Sequence, residues 1–245
     1  MDLSDWFGKS GPPLGALSTH WSAVIAARQP TDEGKAALRH LAERYYRALF
    51  RALRGSGTQR DEAEEMTQRF IVVFCEGKYV HLAQPGKGSF RAFLKTCLRN
   101  FASDEREKER RRRGKPLENM PEPASRDSTD DVLDRELAWQ TLEEARDATR
   151  TRLADQPETW EALRRFDLDP RRGEGRSHDA VAADIGIDVP RFRRALYRAR
   201  QVFKEEVCRA LREGLGAEAD LDVEVEWFLR AITQGPPRSG DERAR

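Results

Sequence analysis

The sequence predicts an all-α protein with two small helical domains, joined by an acidic flexible linker, the second being a helix-turn-helix domain. Apolar residues recur every three or four positions over long stretches, which is the spacing of one face of an α-helix. Proline, which breaks helix interiors, is absent from residues 31–84, 124–156 and 191–235. No alternating strand pattern is present apart from the ambiguous run at 71–74. Charged residues make up 36% of the chain, a share that favours small modules with much solvated surface.

Proline clusters and changes in composition divide the chain into five segments. A stretch rich in proline, serine and acidic residues separates two helical patterns, and this composition is typical of a flexible linker. We therefore expect an amino-terminal extension at 1–34, a first helical domain at 35–113, the linker at 114–131, a second helical domain at 132–212 and an acidic carboxy-terminal extension at 213–245.

Apolar stripes predict the helices of both domains, and Ser89 is placed to cap the third of them. The stripes of the first domain contain Leu38, Leu41, Tyr45, Leu49 and Ala52, then Ala63, Met66, Phe70, Val73 and Phe74, and then Phe90, Phe93, Leu94, Cys97, Leu98 and Phe101. Those of the second domain begin with Leu133, Leu137 and Leu142 and continue with Trp160, Leu163 and Phe166.

Charge is strongly segregated along the chain, although the formal net charge is only +1. Residues 87–115 carry eleven Lys or Arg against four acidic residues, and residues 190–212 carry eight against two. Each basic block precedes an acidic one: three Arg against ten acidic residues at 116–147, and six acidic residues without a basic one at 213–226. This alternation predicts two surfaces that bind polyanions.

Cysteine, histidine and hydropathy patterns argue against several classes of protein. The three cysteines, Cys75, Cys97 and Cys208, are widely spaced, and the four histidines show no ligand spacing, so we expect no metal and no cofactor. Cys75 and Cys97 fall on apolar helical positions, where free cysteine behaves as a small buried residue. The longest apolar run, 70–75, is too short to cross a bilayer, and the amino terminus lacks the basic start of a signal peptide. A cytoplasmic protein without a membrane partner is expected.

The segment at 177–203 has the layout of a helix-turn-helix. Val181, Ala182 and Ile185 form the apolar face of a short helix, and Gly186 follows where the turn requires a positive φ. Ile187 fills the angle between the helices. The next helix is predicted to begin with Asp188 as its N-cap and Pro190 in its first turn, where no amide donor is lost.

The second of these helices combines a core-facing stripe with a row of arginines. Phe192, Leu196, Ala199 and Phe203 are expected to face the core, which leaves Arg191, Arg193, Arg194, Arg198 and Arg200 mostly outward. Arginine bonds guanine O6 and N7 bidentately in the major groove, so Arg191, Arg193, Arg194 and Arg198 are candidates for contacts with duplex DNA. The alternative is a helical hairpin with a solvated arginine-rich face, but such a face normally shows balancing acidic residues at i+4, and few occur before Glu205.

A second basic segment, 90–113, interleaves aromatic and basic residues and ends in four successive arginines. Single-stranded DNA is bound by cations that follow the phosphates and by surfaces on which bases stack. The alternative is that the aromatic residues belong to the core and the arginines solubilise a helix end. Phe93 and Phe101 in particular are expected to be structural.

Taken in order, these segments resemble an extracytoplasmic-function (ECF) RNA polymerase sigma factor. The resemblance covers residues 19–212 and is carried by DEAEEMTQRFIVVF, by GSFRAFLKTCLRNFASDEREKERRRR, by the acidic linker and by the helix-turn-helix segment. The stretch THWSAVIAARQ and the acidic carboxy-terminal tail are similar to those of ECF-like variants. The implied function is to bind core RNA polymerase and to direct promoter-specific transcription initiation, with no catalysis by the chain itself.

The resemblance implies roles for three groups of residues. The first group corresponds to the surface that docks on the coiled coil of the polymerase clamp, and its last member departs from the acidic residue common in relatives. It consists of Asp61, Glu62, Glu65, Gln68 and Arg69. The segment at 88–113 corresponds to the part that captures the melted −10 strand, with Arg91, Lys95, Arg99 and Asn100 as the candidate contacts. The helix at 189–200 corresponds to the reader of the −35 element.

Three other functions compete with this interpretation. A helix-turn-helix regulator that acts without polymerase would use the first 113 residues for sensing or dimerisation. A sigma-factor descendant that has lost DNA binding is disfavoured by the arginine set of the second helix. A recombinase or nuclease would need clustered metal-binding carboxylates or an activated tyrosine or serine, and Tyr45 and Tyr46 fall on a core stripe. No small-molecule substrate is expected, and the sequence leaves open whether an anti-sigma factor or another regulatory partner binds the chain.

Overall fold

The computed structural model describes residues 20–26, 28, 31–55, 58–76, 78–79, 83–84, 86, 88–113, 129–169 and 177–236. Within these ranges the chain forms nine α-helices and no strand, which confirms the all-α prediction. The helices are α1 (His20–Ala26), α2 (Asp32–Gly55), α3 (Arg60–Cys75), α4 (Phe90–Arg113), α5 (Thr129–Arg152), α6 (Pro157–Phe166), α7 (His178–Ile185), α8 (Val189–Glu213) and α9 (Leu221–Thr233).

The helices belong to two compact units. Of the described residues, those from 20 to 139 and from 212 to 236 belong to the first unit, and those from 140 to 211 belong to the second. Helix α5 therefore contributes its beginning to the first unit and its end to the second. Most of the predicted linker, residues 114–128, lies outside the described part of the chain, whereas 129–131 form the first turn of α5. Acidic residues at this position suit the positive end of a helix dipole.

The core of the first unit is built from apolar stripes of α1 to α4. Phe70, Phe90, Leu94 and Leu98 are fully buried. Phe101 is buried, and Phe93 packs partly buried against the same cluster, so the prediction that these two phenylalanines are structural is confirmed. The aromatic residues of α4 therefore stabilise the fold from within, whereas several of its polar and basic residues, among them Arg99 and Asn100, are exposed.

The beginning of α5 packs into this core. Leu133 and Leu137, which the sequence assigned to a second helical module, are buried in the same cluster as the residues of α2 to α4. Arg51 of α2 donates to both carboxylate oxygens of Glu136 at 3.1 Å. Burial nevertheless raises the pKa of Glu136, because desolvation of the carboxylate outweighs the attraction of Arg51. An apolar and an ionic contact together attach α5 to the first unit.

The second unit has a separate core around α6, α7 and α8. Ala162, Val181, Ala182, Phe192 and Leu196 form its buried cluster. Helix α6 begins with Pro157, whose missing amide costs no hydrogen bond in the first turn. The core fixes the rotation of α7 and α8 about their axes, and so determines which residues of α8 face solvent.

The cysteines that can be located are buried. Burial raises the pKa of the Cys97 thiol to about 12, so it stays protonated and packs as an apolar side chain. Cys208 is buried in α8, and the side chain of Cys75 lies outside the described part of the structure. Among the described residues, no three His, Cys, Asp or Glu side chains converge as metal ligands. No helix in the described ranges is long and apolar enough to span a membrane.

Candidate functional site

The turn between α7 and α8 has the backbone geometry that its sequence predicts. The Ser177 hydroxyl caps α7 by accepting a hydrogen bond from the Ala180 amide at 3.1 Å. Gly186 ends α7 with φ of 82°, and its amide donates to Ala182 at 3.0 Å. The Asp188 carboxylate accepts from the Arg191 amide at 2.7 Å and so caps α8. These three local contacts set the direction in which α8 leaves the turn.

The outward face of α8 carries the predicted arginines. The predicted core residues Phe192, Leu196, Ala199 and Phe203 are all buried. The candidate DNA contacts Arg191, Arg193, Arg194 and Arg198 are all exposed. Tyr197, which is 67% exposed, lies among them and was missed by the sequence analysis. Its spacing of four from Arg193 and of three from Arg194 was the signal that could have found it, because such residues share a helix face.

The four exposed arginines differ in their partners. Arg191 pairs with the Glu158 carboxylate at 2.8 Å, and Arg198 donates to the Gln156 side chain at 3.1 Å. Arg193 and Arg194 have no ion-pair or hydrogen-bond partner among the described residues. These two guanidinium groups are therefore the most available for an external anion.

Arg200 departs from the expectation that it faces outward. Its guanidinium pairs with Asp167 at 2.8 Å, lies 5.8 Å from the centroid of the Phe166 ring and is only 15% exposed. The physical reason is its position, four residues after the buried Leu196 and next to the buried Ala199, which turns it toward α6. The expectation for this residue is wrong, and Arg200 is part of the fold of the second unit.

The basic residues of α4 form two groups with different surroundings. Arg91, Lys95 and Arg99, spaced four apart, form what we call the α4 cationic row. Asn100 is exposed beside it. Toward the end of the helix, Arg106 and Arg112 are exposed, while Lys108 and Arg111 pair with acidic residues of the preceding turn. The side chains of Arg110 and Arg113 lie outside the described part of the structure.

Each member of the α4 cationic row contacts a carboxylate. Arg91 pairs with Glu224 at 2.9 Å and with Asp134 at 3.0 Å, and Lys95 pairs with Asp134 at 2.5 Å. Arg99 pairs with Asp130. Burial by itself lowers the pKa of Arg91, but the two carboxylates reverse this effect and hold the pKa above its ordinary value. The row is therefore paired with carboxylates of α5 and α9.

Helix α3 presents the residues that the resemblance assigns to polymerase docking. Asp61, Glu62, Glu65 and Gln68 are exposed. Arg69 is half-exposed and bridges Glu105 of α4 at 2.7 Å and Glu65 at 3.9 Å. Val72, 53% exposed, continues the stripe of positions 61, 65 and 68. Its place in an apolar run of the sequence is typical of a buried residue and gives no sign of this exposure. The surface thus combines acidic groups with one exposed apolar side chain.

The fold is all-α, a class that includes many functions. A comparison with known proteins finds a protein that is similar to this chain. The chain is 29% identical over 213 residues to the ECF RNA polymerase sigma factor SigE of Mycolicibacterium smegmatis, a match that covers 84% of this chain and 72% of that protein. No family model and no solved structure matches the chain. The resemblance to the ECF and ECF-like RNA polymerase sigma factors is confirmed by this relative.

Proposed function

We propose that the chain is a sigma factor that binds core RNA polymerase and directs promoter-specific transcription initiation. The observation that carries this proposal is the pair Arg193 and Arg194, exposed and without a described partner on a capped helix. In a chain similar to an ECF sigma factor, such a helix is suited to enter a DNA groove. The function requires binding only, and no residue is assigned a catalytic role.

The second unit reads the −35 element through α8. Arg193 and Arg194 offer guanidinium groups that can bond guanine bidentately, which is worth roughly 1–3 kcal/mol of discrimination per base. Arg191 and Arg198 lie on the same exposed face and exchange their contacts with Glu158 and Gln156 for DNA. Tyr197 adds an aromatic surface between them. We therefore assign the second unit, which includes most of the predicted second helical domain (132–212), to sigma domain 4.

The first unit holds core polymerase and the melted −10 strand. Its predicted domain, 35–113, is assigned to sigma domain 2. The row Arg91, Lys95 and Arg99, with Asn100 beside it, supplies the strand contacts. Extruding a base costs a few kcal/mol, which stacking and electrostatic contacts of this kind offset. The exposed Arg106 and Arg112 extend the same helix with further cations.

Core polymerase docks on α3. The exposed groups of Asp61, Glu62, Glu65 and Gln68 provide acidic and polar contacts, and Arg69 fixes the register between α3 and α4 through Glu105. Val72 supplies an apolar contact at the end of the same stripe. An apolar contact bordered by polar groups is a common feature of protein interfaces.

Reconstituted transcription tests the proposal. Purified chain is mixed with core polymerase and a genomic promoter library, and transcripts are mapped. The proposal requires co-migration with core polymerase and defined start sites that depend on the chain. Binding to duplex DNA without co-migration would instead support a helix-turn-helix regulator that acts without polymerase.

A further inference from the structure

We propose that the carboxy-terminal segment 214–236 and the first turns of α5 form an acidic cover over the α4 cationic row, which single-stranded DNA must displace. This inference rests on the proposed role of α4 in binding the melted strand and adds its regulation. The contacts that carry it all lie within the first unit.

Each cation of the α4 cationic row is paired with a carboxylate of the cover. Glu224 of α9 accepts two hydrogen bonds from Arg91, from Nε at 3.1 Å and from Nη2 at 2.9 Å. Asp134 accepts from the third guanidinium nitrogen of Arg91 at 3.0 Å and from Lys95 at 2.5 Å. Asp130 pairs with Arg99. Three carboxylates thus follow three cations along one helix face, where successive phosphates of a strand would lie.

The cover is attached at the beginning of α4. The Phe90 amide, the first of the helix, donates to the Gly214 carbonyl at 2.7 Å, and the Gly216 amide donates to the Gly88 carbonyl at 3.1 Å. At the far end of α9, the indole of Trp139 donates to the Gly235 carbonyl at 2.9 Å. The segment is therefore fixed on both sides of Glu224 and holds its carboxylate against Arg91.

Trp227 closes the cover over Arg91. Its ring lies 4.2 Å from the Arg91 guanidinium carbon, a cation–π contact that adds to the ion pair. The buried Nε1 of Trp227 has no hydrogen-bond partner among the described residues. A buried donor without a partner weakens an interface, so this contact is poorer than a permanent core contact.

Carboxylates and phosphates compete for the same guanidinium geometry. Arginine binds both groups through paired N–H donors, so a DNA strand can replace Glu224 and Asp134 without rearranging Arg91. Because α9 also buries Val225, Phe228, Ala231 and Ile232, the covered state predominates in the free chain. The apparent affinity of the row for DNA is then reduced by the small fraction of uncovered chains.

Two full-length variants test the cover. The Glu224→Gln, Asp134→Asn chain loses both carboxylates that hold Arg91, whereas Glu226→Gln makes the same kind of change at an exposed position of α9. Binding of a fluorescent single-stranded oligonucleotide is measured by anisotropy. The double variant should bind about tenfold more tightly than wild type, the scale of one charge-assisted contact. Glu226→Gln should bind like wild type.

The outcomes separate the two proposals. Equal binding by wild type and double variant, or equal tightening by Glu226→Gln, overturns the cover alone. No binding by any of the three chains overturns the strand site of α4 itself. Hydrogen exchange on wild type gives a second measurement that does not depend on a variant folding. Amides of 221–233 should exchange faster when the oligonucleotide is bound, and unchanged exchange in the bound state overturns the cover.

Discussion

The guanidinium of Arg200 donates two hydrogen bonds, at 2.8 and 2.9 Å, to the carboxylate of Asp167, whose side chain is only 2% exposed. This bidentate pair joins α8 to the end of α6 inside the second unit. It distinguishes Arg200 from Arg193 and Arg194 on the same helix, which face solvent. One arginine stabilises the helix that carries the others.

Removing one partner of this pair should destabilise the second unit. Asp167→Ala removes the carboxylate that binds the largely buried Arg200 guanidinium bidentately, and breaking a buried pair in this way typically costs about 3–5 kcal/mol of unfolding free energy. Urea unfolding followed by circular dichroism measures the loss. Asp184→Ala, at an exposed position of α7, is the matched control and should change the unfolding free energy little. A small effect of Asp167→Ala would show that the pair is not a structural anchor.

Replacing an unpaired arginine of α8 should affect promoter use and not polymerase binding. Arg194→Ala removes an exposed cation without disturbing the core, so promoter-specific transcription should fall about tenfold while co-migration with core polymerase is unchanged. Arg150→Ala makes the same charge change at an exposed position of α5 and should leave both activities intact. Equal loss of transcription and of core binding would indicate misfolding.

Binding of duplex promoter DNA should weaken steeply with added salt. Phosphate contacts release condensed counter-ions, so the logarithm of the binding constant falls linearly with the logarithm of salt concentration. Each phosphate contact that is lost on substitution of a basic residue of α8 should flatten this slope by about 1. Filter binding or anisotropy at several salt concentrations measures the slope, and a salt-independent affinity would contradict the proposed role of α8.

Substitution of the exposed Val72 of α3 should weaken binding to core polymerase and leave the stability of the chain unchanged. Val72→Asp places a charge in the proposed docking stripe and should weaken binding to core polymerase about tenfold or more. Val223→Asp is the control, because Val223 is similarly exposed, at 59%, on α9. Both variants should unfold at the wild-type temperature. Equal core binding by the two variants would remove α3 from the proposed interface.

A buried histidine should make the first unit sensitive to acid. His20 bonds the Tyr45 hydroxyl at 2.9 Å, and burial, with the nearby charges of Arg44 and His40, lowers its pKa from 6.5 to about 3. As the pH falls below 6.5, His20 therefore becomes protonated in the unfolded chain but stays neutral in the folded chain. Protonation of His20 in the unfolded chain should therefore lower the unfolding free energy by about 2 kcal/mol when the pH falls from 7 to 5.

The corresponding variant isolates this contribution. His20→Gln keeps a polar side chain but does not titrate, so its unfolding free energy should fall less than that of wild type between pH 7 and 5. Urea unfolding at the two pH values measures the difference. Parallel pH profiles for the two chains would contradict the assignment of a neutral buried His20.

Local signals in the sequence predicted the helices that have long apolar stripes and three features of helix ends, but not α1. Ser89 caps α4, Asp188 caps α8 and Gly186 has a positive φ, because each depends on neighbours within a few residues. The outward arginines followed from helical periodicity in the same way. The prediction that Arg200 faces outward is wrong because its partner Asp167 is 33 residues away in the sequence. No local pattern predicts an ion pair over such a distance.

The features that the sequence did not predict depend on contacts between residues that are far apart in the chain. Leu133 and Leu137 lie on an apolar stripe that predicts a helix. Such a stripe does not predict which core the helix packs against, and in the structure both residues are buried with residues of α2 to α4. Similarly, Arg91, Lys95 and Arg99 were recognisable as cations of one helix face. Their carboxylate partners lie 31 to 133 residues further along the chain, beyond the reach of a pattern based on spacing.

The first unit is interrupted in sequence by residues 140–211, and this has a consequence for the chain as it is synthesised. Glu224 is translated 133 residues after Arg91. A nascent chain on the ribosome therefore displays Arg91 without its partner Glu224 until α9 has been translated. Every molecule therefore passes through a stage in which only the α5 carboxylates are available to the row, and a ribosome stalled ahead of α9 would present that stage in isolation.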